Sequence, residues 1–416
     1  MKDKKLLSDI KEYLKCYENQ VLEDWYELIR HISVSETGEG IETCCDWIQK
    51  KMEEIGIQVT KYSVKPAPVL VGRFGNDPEK KTVLIYAHYD VKPAGERKLW
   101  HSDPFVPTVR DGKVYARGSA DNKSPLMAHL KALEYFIRRK MEVPVNVIFV
   151  FEGDEECGSR GLEEFLAEHR TELAADLVFF SDGPKDPSGL PIIALGAKGD
   201  LSIHITVETM NRNVHARYAP VLPSAAWQLV EILGKCRSKD KILIPGFEEG
   251  ILPFTKKEIE IMDKLPKSED SLNTIYEAKS SNYGKDFYPR LLGQPTFNIC
   301  WIKTGANGVV PAKAEALIDC RLVPDQDPEK VFQCIKRHVE MMGYDNVKIE
   351  CFKVDAQKGF MYGLERGVSP ATWVLPIDSA KYHNHAKEIT ALIDSLYQLQ
   401  PLLISQSCGA FVFPDD

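Results

Sequence analysis

The 416 residues are more than one hydrophobic core accommodates, so the chain reads as two domains or three. Hydrophobic residues make up 44% and charged residues 27%, which excludes disordered, collagen-like and coiled-coil classes. With 53 basic against 61 acidic side chains the net charge is −8, and no basic cluster interleaved with aromatics offsets it. Nucleic acid is therefore not an expected partner.

The N-terminal stretch MKDKKLLSDIKEYLKCYENQ is charged throughout and reads as an amphipathic helix. It has neither an apolar h-region nor a small-residue cleavage site, so no signal peptide is expected. No segment has the length and apolarity of a membrane span. The ten cysteines are sparse and form no C-x-x-C pair, which points to a reduced, cytoplasmic protein.

Helical periodicity is expected over Leu6–Ile32 and Gly40–Glu54. Short apolar runs then alternate with helices. Val83–Ala87, Val145–Phe151 and Leu177–Phe180 read as buried strands, and Asn122–Arg139 as a helix between the first two. This alternation predicts an α/β domain with a mostly parallel central sheet.

From Lys198–Asp200 the pattern changes. Leu201–Val207, Phe297–Ile302, Ala314–Val323 and Val347–Val354 read as strands, and Pro223–Cys236 and Pro328–Met342 as helices. The order β-α-β-β-α-β is the split βαβ unit of a ferredoxin-like domain. A polar excursion from about Lys239 to Arg290 interrupts it. Pro370–Gln400 reads as loop and helix and Pro401–Ser405 as a last strand. The expected architecture is a catalytic domain formed by residues 1–199 and 356–416, interrupted by a smaller domain over residues 200–355.

Acidic and histidine residues fall where the predicted α/β strands end. TVLIYA runs into His88-Tyr89-Asp90, VNVIFVFEGD into Glu155-Glu156, and LVFFS into Asp182; Asp121 stands just before the helix that opens near Asn122. Open α/β sheets bind ligands at the carboxyl ends of their strands, so these loops are expected to converge. One imidazole with several carboxylates suits a borderline divalent cation, zinc first. A carboxylate can bridge two such ions. Asp90 is placed to accept from the His88 ring, and of the adjacent pair Glu155 and Glu156, one can face metal and the other an attacking water. Taken singly, each residue has an ordinary structural reading: Asp121 as a helix cap, Glu155-Glu156 as a solvated turn. His101, His129 and His169 keep that reading.

The motifs YAHYDV with WHSDPF, YARGSADNKSPL, FEGDEECGSRGL, FFSDGP, VVPAKAEALIDCRLVPDQDP and the Pro295-Thr296-Phe297-Asn298 segment resemble one family, and the resemblance covers most of the chain, from about Val21 to Gly409. The family is that of the co-catalytic zinc peptidases and deacylases, which includes carnosine-type dipeptidases, aminoacylase, acetylornithine deacetylase and succinyl-diaminopimelate desuccinylase; the dipeptidase branch is the nearer. The resemblance implies a phosphorylase/hydrolase-like catalytic domain with a lid that mediates homodimerisation. It implies that His88 and Asp182 bind one metal, Glu156 the other, that Asp121 bridges them, and that Glu155 is the general base. Two Zn2+ ions are implied, or one here, with Mn2+ or Co2+ as alternatives. In the lid, NVHARY would place His215 at the oxyanion, and Arg321 in RLVP would hold a substrate carboxylate. An exposed lid histidine and a surface ion pair are the plain alternatives for those two.

The sequence departs from the family pattern in places. Ala216-Arg217 replaces the Ser-Gly after the lid histidine, Gly308 replaces an Asn or Thr before Val309-Val310-Pro311, and the Gly-Gly-Ser-Ile-Pro stretch survives only loosely in Cys408–Pro414. The family's final metal-binding His, in a His-Ser-Pro-Asn-Glu context, has no counterpart after His385; the expectation is a chain without the family's C-terminal end, with His383 and His385 as remote candidates for replacement ligands. The expected activity is cleavage of a dipeptide amide by a metal-dependent hydrolase. The alternatives are deacylation of an N-acyl amino acid, or binding of metal or peptide without turnover.

Overall fold

The computed structural model describes residues 2–182, 193–194, 196–265, 268–279, 283–324, 326–351, 360–361 and 372–373. These residues form two compact units, one ending at Asp182 and the other starting at Ile193. The sequence-predicted helix and strand within Pro370–Ser405, and His383 and His385, lie outside the described residues.

The first unit opens with two helices, α1 (Lys2–Arg30) and α2 (Ile41–Ile55). Ile10, Tyr13, Leu14, Val21, Trp25, Leu28 and Ile29 are buried at the three- and four-residue spacing of one helical face. Ile41, Cys44, Cys45, Ile48, Met52 and Ile55 do the same on α2. The turn into α2 requires glycine: Gly40 has φ +72°, and a Cβ there would lie 2.0 Å from the Ile32 carbonyl oxygen.

The strands are β1 (Gln58–Tyr62), β2 (Val69–Phe74), β3 (Thr82–His88), β4 (Asn146–Glu152) and β5 (Leu177–Phe180), in the sheet order β1-β2-β4-β3-β5. Helix α3 (Lys123–Arg138) crosses from β3 to β4, and α4 (Leu162–Glu168) lies between β4 and β5. β3 is parallel to both of its neighbours, with Leu84 opposite Ile148 and Val178. The sheet as described is mixed, which corrects the expectation of a mostly parallel one: β1 pairs antiparallel with β2, and β2 antiparallel with β4. The cause is chain length, because Ser63–Pro68 is too short for the crossover of about a dozen residues that parallel neighbours require.

One face of this sheet (Val83, Ile85, Ala87, Val147, Phe149, Phe151) packs with the apolar faces of α1, α2 and α3. The other face (Leu84, Ile148, Val150) packs with Phe165 and Leu173. Each fully buried side chain of this size contributes roughly 1.5–3 kcal/mol. The strands cannot slide without losing both layers.

The second unit contains β6 (Gly199–Glu208), α5 (Ala225–Cys236), β7 (Asn298–Thr304), β8 (Lys313–Leu322), α6 (Pro328–Glu340) and β9 (Val347–Cys351). Its four-stranded sheet has the order β7-β8-β6-β9 and is antiparallel throughout. Inward residues alternate along β6 and β8 (Leu201, Ile203, Ile205; Ala314, Ala316, Ile318) and pack against Leu229 and Ile232 of α5 and Val331, Ile335 and Val339 of α6. The excursion between α5 and β7 carries helices at Lys256–Met262, Ser268–Ile275 and Phe287–Gly293, with a small core around Met262 and Leu292.

Candidate metal centre

The parallel strands β4, β3 and β5 end at one edge of the first unit's sheet, with His88 in register with Glu152. His88 is the last residue of β3 and is fully buried. Its Nδ1 lies 3.3 Å from Asp90 Oδ1 and 3.2 Å from the Asp90 carbonyl oxygen. Asp90 is also fully buried, and its carboxylate accepts the backbone N–H groups of Glu155 at 3.1 Å and Glu156 at 3.0 Å. One side chain therefore orients the imidazole and fixes the short 3-10 turn Glu155–Cys157. Gly153 leads into that turn, and a Cβ there would meet the Tyr89 ring at 2.5 Å.

The other ring nitrogen faces acid. His88 Nε2 lies 3.0 Å from Asp121 Oδ1, 3.1 Å from Asp182 Oδ2 and 3.8 Å from Glu155 Oε2. Asp121 comes from the approach to α3 and Asp182 from the end of β5, so separate loops meet as the strand-end pattern implied. Ligand atoms of His88, Asp121 and Asp182 all lie within 4.8 Å of one another. In a tetrahedral site with bonds of ~2.1 Å, neighbouring donors stand about 3.4 Å apart. The contacts around Nε2 are close to that spacing, and one imidazole with two carboxylates is a donor set suited to zinc. The residues fit a single cation site; among the described residues this is the one such cluster.

Electrostatics sharpen the picture. Burial opposes charge on His88, but Asp121, Asp182 and Asp90 outweigh it and raise its pKa. Burial first, and then Asp182, Glu156 and Asp121, push Glu155 up to about 7 against the opposing pull of His88. Glu156 is raised by burial and by Asp121, while Lys92 and His88 pull it down. Lys92 Nζ donates to the Glu156 carbonyl oxygen and stands 3.4 Å from its Oε2. Glu156 is not in the triad's cluster.

Sequence reasoning passed over several groups at this edge. Buried Glu152 accepts from Tyr86 Oη and, at 2.8 Å, from Ser159 Oγ. Tyr86 shares a strand face with His88, the signal that would have found it. Lys92 and Ser181, each close in sequence to a candidate ligand, were also missed. His101 is exposed, and His169 pairs with Glu172 at 2.9 Å; His129 is buried.

His215 and Arg321 belong to the second unit. His215 is exposed in a two-residue strand opposite Val309, and its Nδ1 accepts the Arg217 N–H at 3.2 Å. Arg321, 50% exposed, lies 3.1 Å from Asp319 and 3.3 Å from Asp200.

An α/β unit that gathers an imidazole and two carboxylates at its strand ends has the donor set of a divalent-cation site. Residues 84–399 match the model of peptidase family M20/M25/M40, and the chain belongs to that family. It is 31% identical over 306 residues to the Cys-Gly metallodipeptidase DUG1 of Saccharomyces cerevisiae, covering 70% of this chain and 64% of that protein. It is 34% identical over 304 residues to the corresponding Schizosaccharomyces pombe protein, with the same coverage of 70% and 64%. The chain thus spans a little under two thirds of the length of these relatives. Among solved structures, the M20 family metallo-carboxypeptidase Sso-CP2 from Sulfolobus solfataricus matches at TM-score 0.73 and 31% identity, covering 82% of this chain and 79% of that one. The structure of Dug1p from Saccharomyces cerevisiae matches in fold at TM-score 0.77 and 22% identity, covering 97% and 99%. Among the described residues, no helix is long and apolar enough to cross a membrane.

Proposed function

We propose that this chain is a metal-dependent hydrolase of the amide bond of a dipeptide, and that His88, Asp121 and Asp182 hold its catalytic cation. The observation that carries the reading is the cluster of these three around His88 Nε2, with Asp90 behind the ring and Glu155 beside it. A zinc ion, or manganese or cobalt in its place, would polarise the scissile carbonyl and acidify the attacking water. Glu155 is the general base: its carboxylate, 3.8 Å from the His88 ring, takes the proton from the attacking water and returns it to the leaving amine. Asp90 keeps the His88 ring in place and the Glu155 carboxylate on its turn. A second ion would draw on Asp121 as bridge and on Glu156.

In the second unit, His215 is assigned to the oxyanion and Arg321 to the substrate carboxylate; the half-exposed guanidinium retains a solvent-facing side despite its two aspartate partners. We read residues 1–199 with 356–416 as the catalytic domain and residues 200–355 as a ferredoxin-like lid. The element order β-α-β-β-α-β and the strand order β7-β8-β6-β9 support the lid reading. Exposed Trp227 and Val230 on α5, with Ile299 and Ile302 on edge strand β7, support a homodimer formed through the lid. Cysteines that are all unpaired among the described residues support a cytoplasmic setting.

A second reading is a relative that binds metal or peptide without turnover. It is favoured by Lys92, whose ammonium sits against Glu156 where a second cation would compete with it. An N-acyl amino acid would serve the same residues equally well as substrate. The test is hydrolysis by the purified chain with added Zn2+ or Mn2+ across Cys-Gly, β-Ala-His, other dipeptides and N-acetyl amino acids. Dipeptide cleavage that vanishes with a chelator is the expected result. Bound metal without turnover on the whole panel would establish the second reading, and cleavage of acyl amino acids alone would establish the deacylase.

A further inference from the structure

Behind the cluster lies a polar contact that the proposed chemistry does not use. His129, on α3, is buried, and its Nε2 stands 2.6 Å from Ser181 Oγ, the residue immediately before Asp182. Its ring meets Phe179 of β5 edge-on at 5.5 Å between centroids. The imidazole thus touches the strand end on both sides of Phe180, where the chain leaves the sheet to deliver Asp182. Its Nδ1 is buried and has no hydrogen-bond partner among the described residues. Orphaned buried N–H groups are rarer than orphaned acceptors, which favours the tautomer protonated at Nε2 that donates to Ser181.

We infer that His129 is a positioning residue for the metal centre, acting through Ser181 to fix the Asp182 carboxylate toward His88. α3 carries Asp121 on its approach and His129 along its length, so one helix is tied to two of the three acidic and imidazole-bearing loops. A ligand that is fixed before the cation arrives binds it more tightly, because no loop ordering accompanies binding. An apolar side chain at position 129 would fill the space and leave Ser181 to turn elsewhere.

This inference rests on the reading of His88, Asp121 and Asp182 as metal ligands, so the experiment separates the two. Zinc affinity is measured by competition with a chromophoric chelator, and the Co2+ absorption spectrum is recorded, for the unmodified chain and for His129→Leu, His129→Gln, Ser181→Ala and the double variant His129→Leu/Ser181→Ala. The expected result is zinc binding weakened about tenfold in His129→Leu and in Ser181→Ala. The double variant should be no weaker than either alone, the Co2+ spectrum should change, and His129→Gln should recover part of the loss. Ser181→Ala removes one oxygen at a half-buried position, which keeps the test open if His129→Leu folds poorly. Zinc affinities and Co2+ spectra equal to those of the unmodified chain in both single variants would overturn the inference while leaving the ligand reading intact. Losses that simply add in the double variant would also overturn it. No zinc binding by the unmodified chain would overturn both.

Discussion

The two units place their charged groups in opposite ways. In the first, His88, Asp90, Lys123, His129, Lys131, Glu134, Glu152 and Asp154 are all buried. In the second, the core around β6, β8, α5 and α6 is apolar, Glu258 in the excursion is the one buried charged group among its described residues, and Arg321 pairs with Asp200 and Asp319 nearer the surface. Buried charge costs several kcal/mol per group unless it is compensated, so the first unit keeps its polar interior by dense pairing. Asp154 takes a two-point contact from Arg160 at 2.7 and 3.0 Å, and Asp90 takes two backbone donors. Parallel strand ends gather carboxylates at one edge, whereas the antiparallel sheet supplies a stable platform.

The contrast can be broken at several points. Glu155→Gln should retain metal and lower kcat by about 10²–10⁴-fold, checked by steady-state kinetics beside metal analysis. Ile335→Ala, in the core of the second unit, should cost about 2–5 kcal/mol in denaturant unfolding and leave zinc affinity unchanged. Asp90→Asn should do the reverse in emphasis, weakening zinc binding about 10–100-fold in chelator competition because the ring and the Glu155 turn both lose an anchor.

Acid should act through the first unit. Burial lowers the His129 pKa to about 3 from the 6.5 of an exposed histidine. The unfolded chain therefore binds the extra proton first. The contribution of His129 to stability is full above pH 6.5 and is lost by about 1.4 kcal/mol per unit as pH drops below it, until the folded imidazole itself protonates near pH 3. His129→Gln should flatten that slope in unfolding measurements between pH 6 and 4. The smallest effect belongs to the surface: Arg321→Ala should change stability by less than about 1 kcal/mol, while raising KM for substrates with a free carboxylate.

Much of this arrangement is legible in the sequence because it follows local periodicity. The apolar runs of β3, β4 and β5, the apolar face of α3, and the alternation along β6 and β8 announce themselves, and the acids at the strand ends follow from them. Other parts have no local signal. Strand β1 is short and half-exposed, and the segment after it carries Lys65-Pro66-Ala67-Pro68, which hid the β1–β2 hairpin and with it the mixed character of the sheet. The contacts of His129 with Ser181 and of Tyr86 with Glu152 join residues far apart in sequence, and only packing brings them together. The pairing of Lys92 with Glu156 is of the same kind. A lone lysine beyond a strand reads as solvated until the turn that meets it is placed.

Under the proposed function, hydrolysis depends on a cation held by His88, Asp121 and Asp182. The most direct measurement is zinc stoichiometry after chelator dialysis and zinc re-addition, made on the unmodified chain and on Asp182→Ala, with dipeptide hydrolysis followed in the same samples. At least one tightly held zinc per chain, restoring hydrolysis on re-addition and lost together with it in Asp182→Ala, is the predicted result. A chain that hydrolyses dipeptides without zinc or any other divalent ion, or whose zinc content is untouched by Asp182→Ala, would contradict it.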